Sequence, residues 1–263
     1  MGNIDELLKS IIQQHTKNFI GRKGDLFELE NFVMTYELPN YFCILSQPGA
    51  GKTALLAEFS RNLLTQNIPC LLYFSAMTTP MLGIDHLFKS IEFQLQKKQM
   101  LEFPLSQDIE IQKTQIYEIL EHLNQHIILL IDGIDQMYTS DLNWLSGSFP
   151  LNVRVILSSN ITSQWEEWQQ RNSVTTYDLD PIIEQEHINN LQKKYTNLDS
   201  EQMDVLIQKA QGNQLYLQYA LAILKQNHTT IDQLPYSHDQ LFTHILSQLS
   251  TIHTQEVVYK YFG

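Results

Sequence analysis

No run in the 263 residues approaches the ~20 consecutive apolar positions that a membrane-spanning helix needs, so no membrane is expected among its partners. Basic clusters are equally scarce. Lys97-Lys98 and Lys193-Lys194 are the longest, against a formal net charge of −12. Proteins that bind nucleic acid usually carry a basic stripe, so that charge argues against nucleic acid as a partner. Only two cysteines occur, Cys43 and Cys70. Each lies in an apolar run and reads as a small core residue, not as half of a disulfide. Met1 to Ser10 is acidic and amphipathic, unlike a secretory leader, so the expected location is cytoplasmic. There is no internal repeat and no low-complexity tract, and the abundant Gln and Asn are dispersed. No G-x-S-x-G element or Cys/His arrangement supports nucleophilic catalysis. His122 and His126 are four apart, but neither a third ligand nor the acid of H-E-x-x-H accompanies them. Trp144, Trp165 and Trp168 lack basic neighbours, which favours core packing over base stacking. What remains is a globular chain, 43% apolar and 17% charged, able to bury a real core.

Five short apolar runs read as strands: Tyr41–Leu45, Pro69–Phe74, Ile127–Asp132, Val153–Ser158 and Thr175–Leu179. Apolar residues at helical spacing fill most of the chain between them, as in Met1–Gln14, Asp25–Tyr36, Ala54–Leu64 and a region from about Gly83 to Gln125 broken near Phe103-Pro104. Strands separated by helices imply an α/β fold, here a five-stranded parallel sheet flanked by helices. Beyond Pro181 the pattern is all helical: Ile183–Tyr195, Ser200–Ala210, Leu215–Asn227 and Ser237–Leu249. The polar break from Asn227 to Pro235 reads as a linker or turn.

The segment Ser46-Gln47-Pro48-Gly49-Ala50-Gly51-Lys52-Thr53 stands between the first strand and a helix that opens with Ala54. It matches G-x-x-x-x-G-K-[ST] except that Ser46 replaces the first glycine, and strand, glycine-rich loop, helix is the context a phosphate-binding loop requires. Backbone N–H groups of such a loop converge on phosphate oxygens at a helix N-terminus. Lys52 would reach the β- and γ-phosphates, and the Thr53 hydroxyl would ligate Mg2+. The strand Ile127–Asp132 ends on an acid, the Walker B arrangement, with Asp132 as metal acid. Asp135 follows three residues on, and two carboxylates that close together favour a cation between them. One would bind the metal and the other, Asp135, would polarise the attacking water.

Phe19-Ile20-Gly21-Arg22, the loop at 46–53 and I-I-L-L-I-D-G-I-D-Q together resemble the STAND class of P-loop NTPases, close to its NACHT branch. Gly212-Asn213-Gln214-Leu215-Tyr216-Leu217 is similar to the G-x-P-L-x-L element of that class, and Leu234-Pro235-Tyr236-Ser237 to the entry of a winged-helix domain. The resemblance implies an NTPase domain over 18–180, a helical lid over 181–228 and an incomplete winged-helix segment over 229–263, preceded by an N-terminal helix over 1–17. It implies an ATP/ADP switch with slow Mg2+-dependent hydrolysis that opens and self-associates or meets protein partners on activation. Ile20, Gly21 and Arg22 would border adenine, Asn160 could hydrogen-bond a phosphate or water, and Gln214 would stand where the class has a proline packed on the nucleotide. The choice of adenine rests on the resemblance, although no N-K-x-D motif suggests guanine. Three departures bear on activity: Gln136 where an acid is common, Asn160 where a sensor arginine is frequent, and Gln214 in place of proline. A winged-helix domain would need roughly twice the residues that follow Leu234, so either a fragment of a longer protein or a short form is expected. Two other readings stay open. One is a nucleotide-binding interaction module without turnover. The other is an AAA+ motor on nucleic acid, against which stand the charge and the lack of an arginine finger, Arg154 lying within a strand.

Overall fold

The structure is a computed structural model and describes residues 4–17, 19–35, 38–75, 84–137, 142, 145, 149–160, 163–180, 185–194, 198–225, 230–236, 240, 241 and 243. Its contacts divide the chain into two compact units, Met1–Ser46 with Lys52–Leu179, and Gln47–Gly51 with Asp180–Gly263.

In the first unit the five apolar runs form strands β1 (Tyr41–Leu45), β2 (Cys70–Phe74), β3 (Ile127–Asp132), β4 (Val153–Ser159) and β5 (Thr175–Asp178). They pair in parallel in the order β2-β3-β4-β1-β5. The first four are buried along their whole length, as a parallel sheet covered on both faces requires. The helices are α1 (Ile4–Thr16), α2 (Lys23–Met34), α3 (Lys52–Thr65), α4 (Ile84–Lys97), α5 (Ile109–His122) and α6 (Ser163–Arg171). Leu87, Phe88 and Leu95 of α4, Ile116 and Leu120 of α5 and both tryptophans of α6 share one core with Cys43, Tyr73, Leu129 and Val155. Leu8 and Ile12 of α1, Leu29 of α2 and Leu55 and Phe59 of α3 share the other with Ile44, Cys70, Leu130 and Ile156. Strand side chains alternate faces, so the parity of a position decides which helical layer it meets. Asp132 shares parity with Ile128 and Leu130, and Ser158 with Ile156, which turns both toward the layer that holds α3.

Local signals explain several boundaries. Asp108 caps α5, its carboxylate accepting from the N–H groups of Glu110 and Ile111. After α5, the Asn152 amide donates to the Leu120 and Leu123 carbonyls at 2.8 and 3.0 Å, which closes the helix and leads the chain into β3. At the β2 edge of the sheet, the buried Gln94 of α4 serves both backbone groups of Leu72. Its Oε1 accepts from the Leu72 N–H at 2.9 Å and its Nε2 donates to the Leu72 carbonyl at 2.8 Å. A free strand edge is a template for unwanted pairing, and this amide covers part of it. Cys43 and Cys70 are free, buried thiols on strands separated by β3 and β4. Trp165 and Trp168 pack in the core with ring centroids 5.1 Å apart, while Trp144 lies outside the described residues. Arg154 is buried in β4 with its guanidinium over the Phe32 ring.

The second unit contains α7 (Gln185–Lys194), α8 (Ser200–Ala210) and α9 (Gln214–Lys225). Asp199 and Gln202 form a capping box at the start of α8. Of the expected break at Asn227–Pro235, the described part from Thr230 is structured: Ile231–Gln233 form a 3-10 turn, and Ile231 and Leu234 are buried with α8 and α9. The buried Lys209 ammonium donates to the Leu234 carbonyl at 2.6 Å and lies 4.4 Å from the centre of the Tyr236 ring. Most of the expected helix at 237–249, and the rest of the segment 229–263, lies outside the described residues.

Candidate functional site

Near the C-terminal ends of β1, β3 and β4, hydrogen bonds join Lys52 to Asn160, Asn160 to Asp135, and Thr53 to Asp132. β1 ends at Leu45, and α3 begins at Lys52. Between them Gly49 (φ +82°) and Gly51 (φ +102°) adopt left-handed backbone that few other residues tolerate. Gln47 and Pro48 are exposed, Ala50 is buried, and Ala54 lies in the first turn of α3. The Lys52 ammonium donates to the Ser46 carbonyl at 2.9 Å and to Asn160 Oδ1 at 2.9 Å. Thr53 Oγ1 donates to Asp132 Oδ2 at 2.9 Å. The other oxygen of Asp132 accepts from Ser158 Oγ at 2.6 Å. Asp132 is only 2% exposed, and burial pushes its carboxyl above the ordinary range, opposed by Ser158, Thr53, His15 and Lys52. Burial likewise lowers the Lys52 ammonium, opposed by Asp135 and Asp132.

Gly133 follows Asp132 in left-handed conformation and starts the turn Ile134–Gln136 that carries Asp135. Both Asp135 oxygens are engaged by Asn160: its backbone N–H donates to Oδ1 at 3.1 Å and its Nδ2 to Oδ2 at 2.7 Å. Asn160 therefore links the second acid to Lys52. Gln136 is exposed and accepts from the Ser75 hydroxyl at 2.9 Å. A side chain at Gly133 would meet Ser75 Oγ at 2.3 Å, so this turn needs glycine both for its backbone and for space.

Ile20, Gly21 and Arg22 precede α2. Gly21 and Arg22 are both left-handed, and the buried Arg22 pairs with Asp25 at 3.4 Å. Asp25 in turn accepts from the Tyr177 hydroxyl of β5 at 2.6 Å, and Tyr177 pairs in the sheet with Ile44, two residues before the loop. Within the second unit, Asn213 donates through Nδ2 to the Pro48 carbonyl at 3.0 Å and caps α9 by accepting from the Tyr216 N–H at 2.9 Å. The Gln214 amide lies over Gly51, its oxygen 3.6 Å from where a Cβ would stand. Ser75, Ser158 and His15 are the neighbours that sequence reasoning missed, and Asn213 entered it only as part of the motif over 212–217. A polar residue near the end of an otherwise apolar strand was the available signal for Ser158. His122 hydrogen-bonds through Nδ1 to its own helix, at the Glu118 carbonyl.

These residues fit a Mg2+–nucleoside triphosphate. The observation is a donor set out of balance: a deeply buried carboxylate held by two hydroxyls, and a partly buried ammonium donating to two neutral oxygens. The buried hydroxyl of Ser46 at the head of the loop has no partner among the described residues. Mg2+ commonly takes one or two carboxylates and completes its shell with phosphate oxygens and water, which suits Thr53 and Asp132.

The sheet order, the glycine loop and the acid-tipped third strand define the fold of P-loop ATPases. No protein-family model matches the chain. Among solved structures it is similar to a Signal Transduction ATPase with Numerous Domains (STAND) protein with a tetratricopeptide repeat sensor from Pyrococcus horikoshii, with a TM-score of 0.52 and 20% identity over 77% of this chain and 30% of that one. It is also similar to the Aeropyrum pernix ORC1 protein in complex with DNA, with a TM-score of 0.51 and 13% identity over 87% of this chain and 65% of that one. In sequence it is 25% identical over 180 residues to nephrocystin-3 of Xenopus tropicalis, covering 64% of this chain. The chain spans 13% of the length of that curated relative.

Proposed function

We propose that this chain is the nucleotide-binding core of an ATP/ADP switch of the STAND type, with slow Mg2+-dependent hydrolysis. The observation that carries the proposal is the continuous hydrogen-bonded path Lys52–Asn160–Asp135 beside Thr53–Asp132–Ser158 at the ends of β3 and β4. Lys52 and the loop amides hold the phosphates, with Gln47, Pro48, Gly49, Ala50, Gly51 and Ala54 forming the cradle. Thr53 and Asp132 hold Mg2+, which neutralises phosphate charge when bound. Ile20, Gly21 and Arg22 border the base, and Gln214 approaches the loop. Asp135 orients and receives the proton of an attacking water, and Asn160 holds it in place.

Two contacts support slow turnover. Asn160 already occupies both oxygens of Asp135, and Ser75 fixes the neutral Gln136 where an acid would serve as a second base. Switching then depends on which nucleotide is held, and self-association or a protein partner reads that state. Cytoplasmic residence suits this role, and among the described residues no helix is long and apolar enough to cross a membrane.

The similarity to a protein in complex with DNA favours a second reading, an ATPase that works on nucleic acid, and it weakens the exclusion drawn from net charge. Single-turnover phosphate release, measured with and without duplex DNA, separates the readings. The switch requires slow release that falls at least tenfold in Asp135→Asn and does not respond to DNA. Stimulation by DNA selects the second reading. No release from the wild type leaves a binding module without turnover.

A further inference from the structure

We propose that Ser158 is a positioning residue of this site, holding the Asp132 carboxylate and the Gly133 backbone in one geometry so that the metal acid meets Mg2+ already oriented. The inference rests on the nucleotide-binding reading above and assigns a role that the loop and acid motifs do not contain. Ser158 is fully buried, so it works through Asp132 and not on the nucleotide. Its hydroxyl proton goes to Asp132 Oδ1 at 2.6 Å, and its oxygen accepts the Gly133 N–H at 2.8 Å. With one hydrogen each way, the hydroxyl fixes both the carboxylate and the first peptide of the turn that carries Asp135.

The two oxygens of Asp132 are thereby divided. Oδ2 faces Thr53, the other residue assigned to the metal, and Oδ1 faces Ser158. Without the Ser158 hydroxyl, the carboxylate would rotate about its Cβ–Cγ bond with only Thr53 to orient it. Ser158 is the penultimate residue of β4 and Asn160 lies just beyond the strand, so the end of β4 supplies a partner for each acid. One takes Asp132 and the other takes Asp135. The end of β4 and the residue after it thus support the acid that ends β3 and the acid in the turn that follows. Residues behind metal ligands commonly set ligand orientation, and their loss typically costs ten- to a hundredfold in metal affinity.

The test compares wild type, Ser158→Ala and Ser158→Cys. Cysteine fills the serine position with a larger sulfur while replacing a strong donor with a weak one, so it carries the test if the alanine variant does not fold. ATP affinity is measured by calorimetry in Mg2+ and again in EDTA, and thermal melting of each nucleotide-free variant reports folding. The expected result is that Mg2+ tightens ATP binding in the wild type. In both variants this gain falls by about tenfold or more while affinity in EDTA is unchanged. A wild-type Mg2+ gain in folded variants, or equal losses in Mg2+ and EDTA, would overturn the positioning role and leave nucleotide binding intact. A wild type that binds no nucleotide under either condition would overturn the underlying reading as well.

Discussion

Replacing Asp132 with asparagine should stabilise the nucleotide-free protein while removing its response to Mg2+. Asp132 is a carboxylate at 2% exposure whose direct hydrogen bonds come from two hydroxyls. Burying an ion costs several kcal/mol after relaxation, and bonds to a charged acceptor return about 1.5–3 kcal/mol each. Asparagine has nearly the same shape and fits the same partners. Its Oδ1 accepts from Ser158, and its Nδ2 donates to Thr53 Oγ1 once that hydroxyl rotates. The neutral amide keeps both bonds at about 0.5–1.5 kcal/mol each and avoids most of the ionic desolvation. The expected net gain is about 1–3 kcal/mol, a rise in Tm of roughly 2–10 °C for a domain of this size. Thermal denaturation in EDTA reads the stability, and calorimetry with ATP reads the loss of Mg2+ dependence. A lower Tm for Asp132→Asn would refute the reasoning, because the ionised carboxylate would then be holding the fold together and not waiting for a cation.

The same balance has a pH signature. Burial raises the Asp132 pKa in the folded state, so folded protein binds more protons than unfolded protein between the unfolded and folded values. The Tm advantage of Asp132→Asn should therefore be fully present above the folded value and shrink as pH falls through it; an advantage that grows on acidification would contradict the sign. Gln94→Leu should cost roughly 2–6 kcal/mol in urea denaturation, because the N–H and C=O of Leu72 each lose a buried partner at about 1–3 kcal/mol. A cost below about 0.5 kcal/mol would mean that water reaches this sheet edge.

Much of the fold was legible because the strands of a covered parallel sheet are continuous apolar runs. Y-F-C-I-L, C-L-L-Y-F and I-I-L-L-I-D announce burial on both faces, and each is buried throughout. T-T-Y-D of β5 is a weaker signal, since this edge strand alternates between half-buried and exposed positions. The strand order followed from no local pattern. It depends on crossovers whose partners lie far apart in sequence.

The site divides along the same line. Lys52, Thr53, Asp132 and Asp135 are fixed by motif spacing, and Asn160 by its place just after β4. Ser158, Ser75 and Gln94 were not legible as partners because serine and glutamine carry no signature of their own. What gives them a role is contact across 26, 61 and 22 residues respectively. The 3-10 turn at Ile231–Gln233 was hidden differently. Its polar sequence reads as a connector, but two apolar side chains and Lys209 bind it to the second unit.

The central claim is that Lys52, Thr53 and Asp132 form one Mg2+–nucleotide site, and calorimetric titration with Mg-ATP and Mg-ADP, repeated on Lys52→Ala, tests it most directly. Loss of a charge-assisted phosphate contact should cost about 1.5–3 kcal/mol, or roughly ten- to a hundredfold in affinity. The account predicts micromolar binding that weakens by that factor in the variant, with the ADP/ATP preference identifying the resting state. Absence of binding in the wild type, or equal affinity in a folded Lys52→Ala protein, would contradict it.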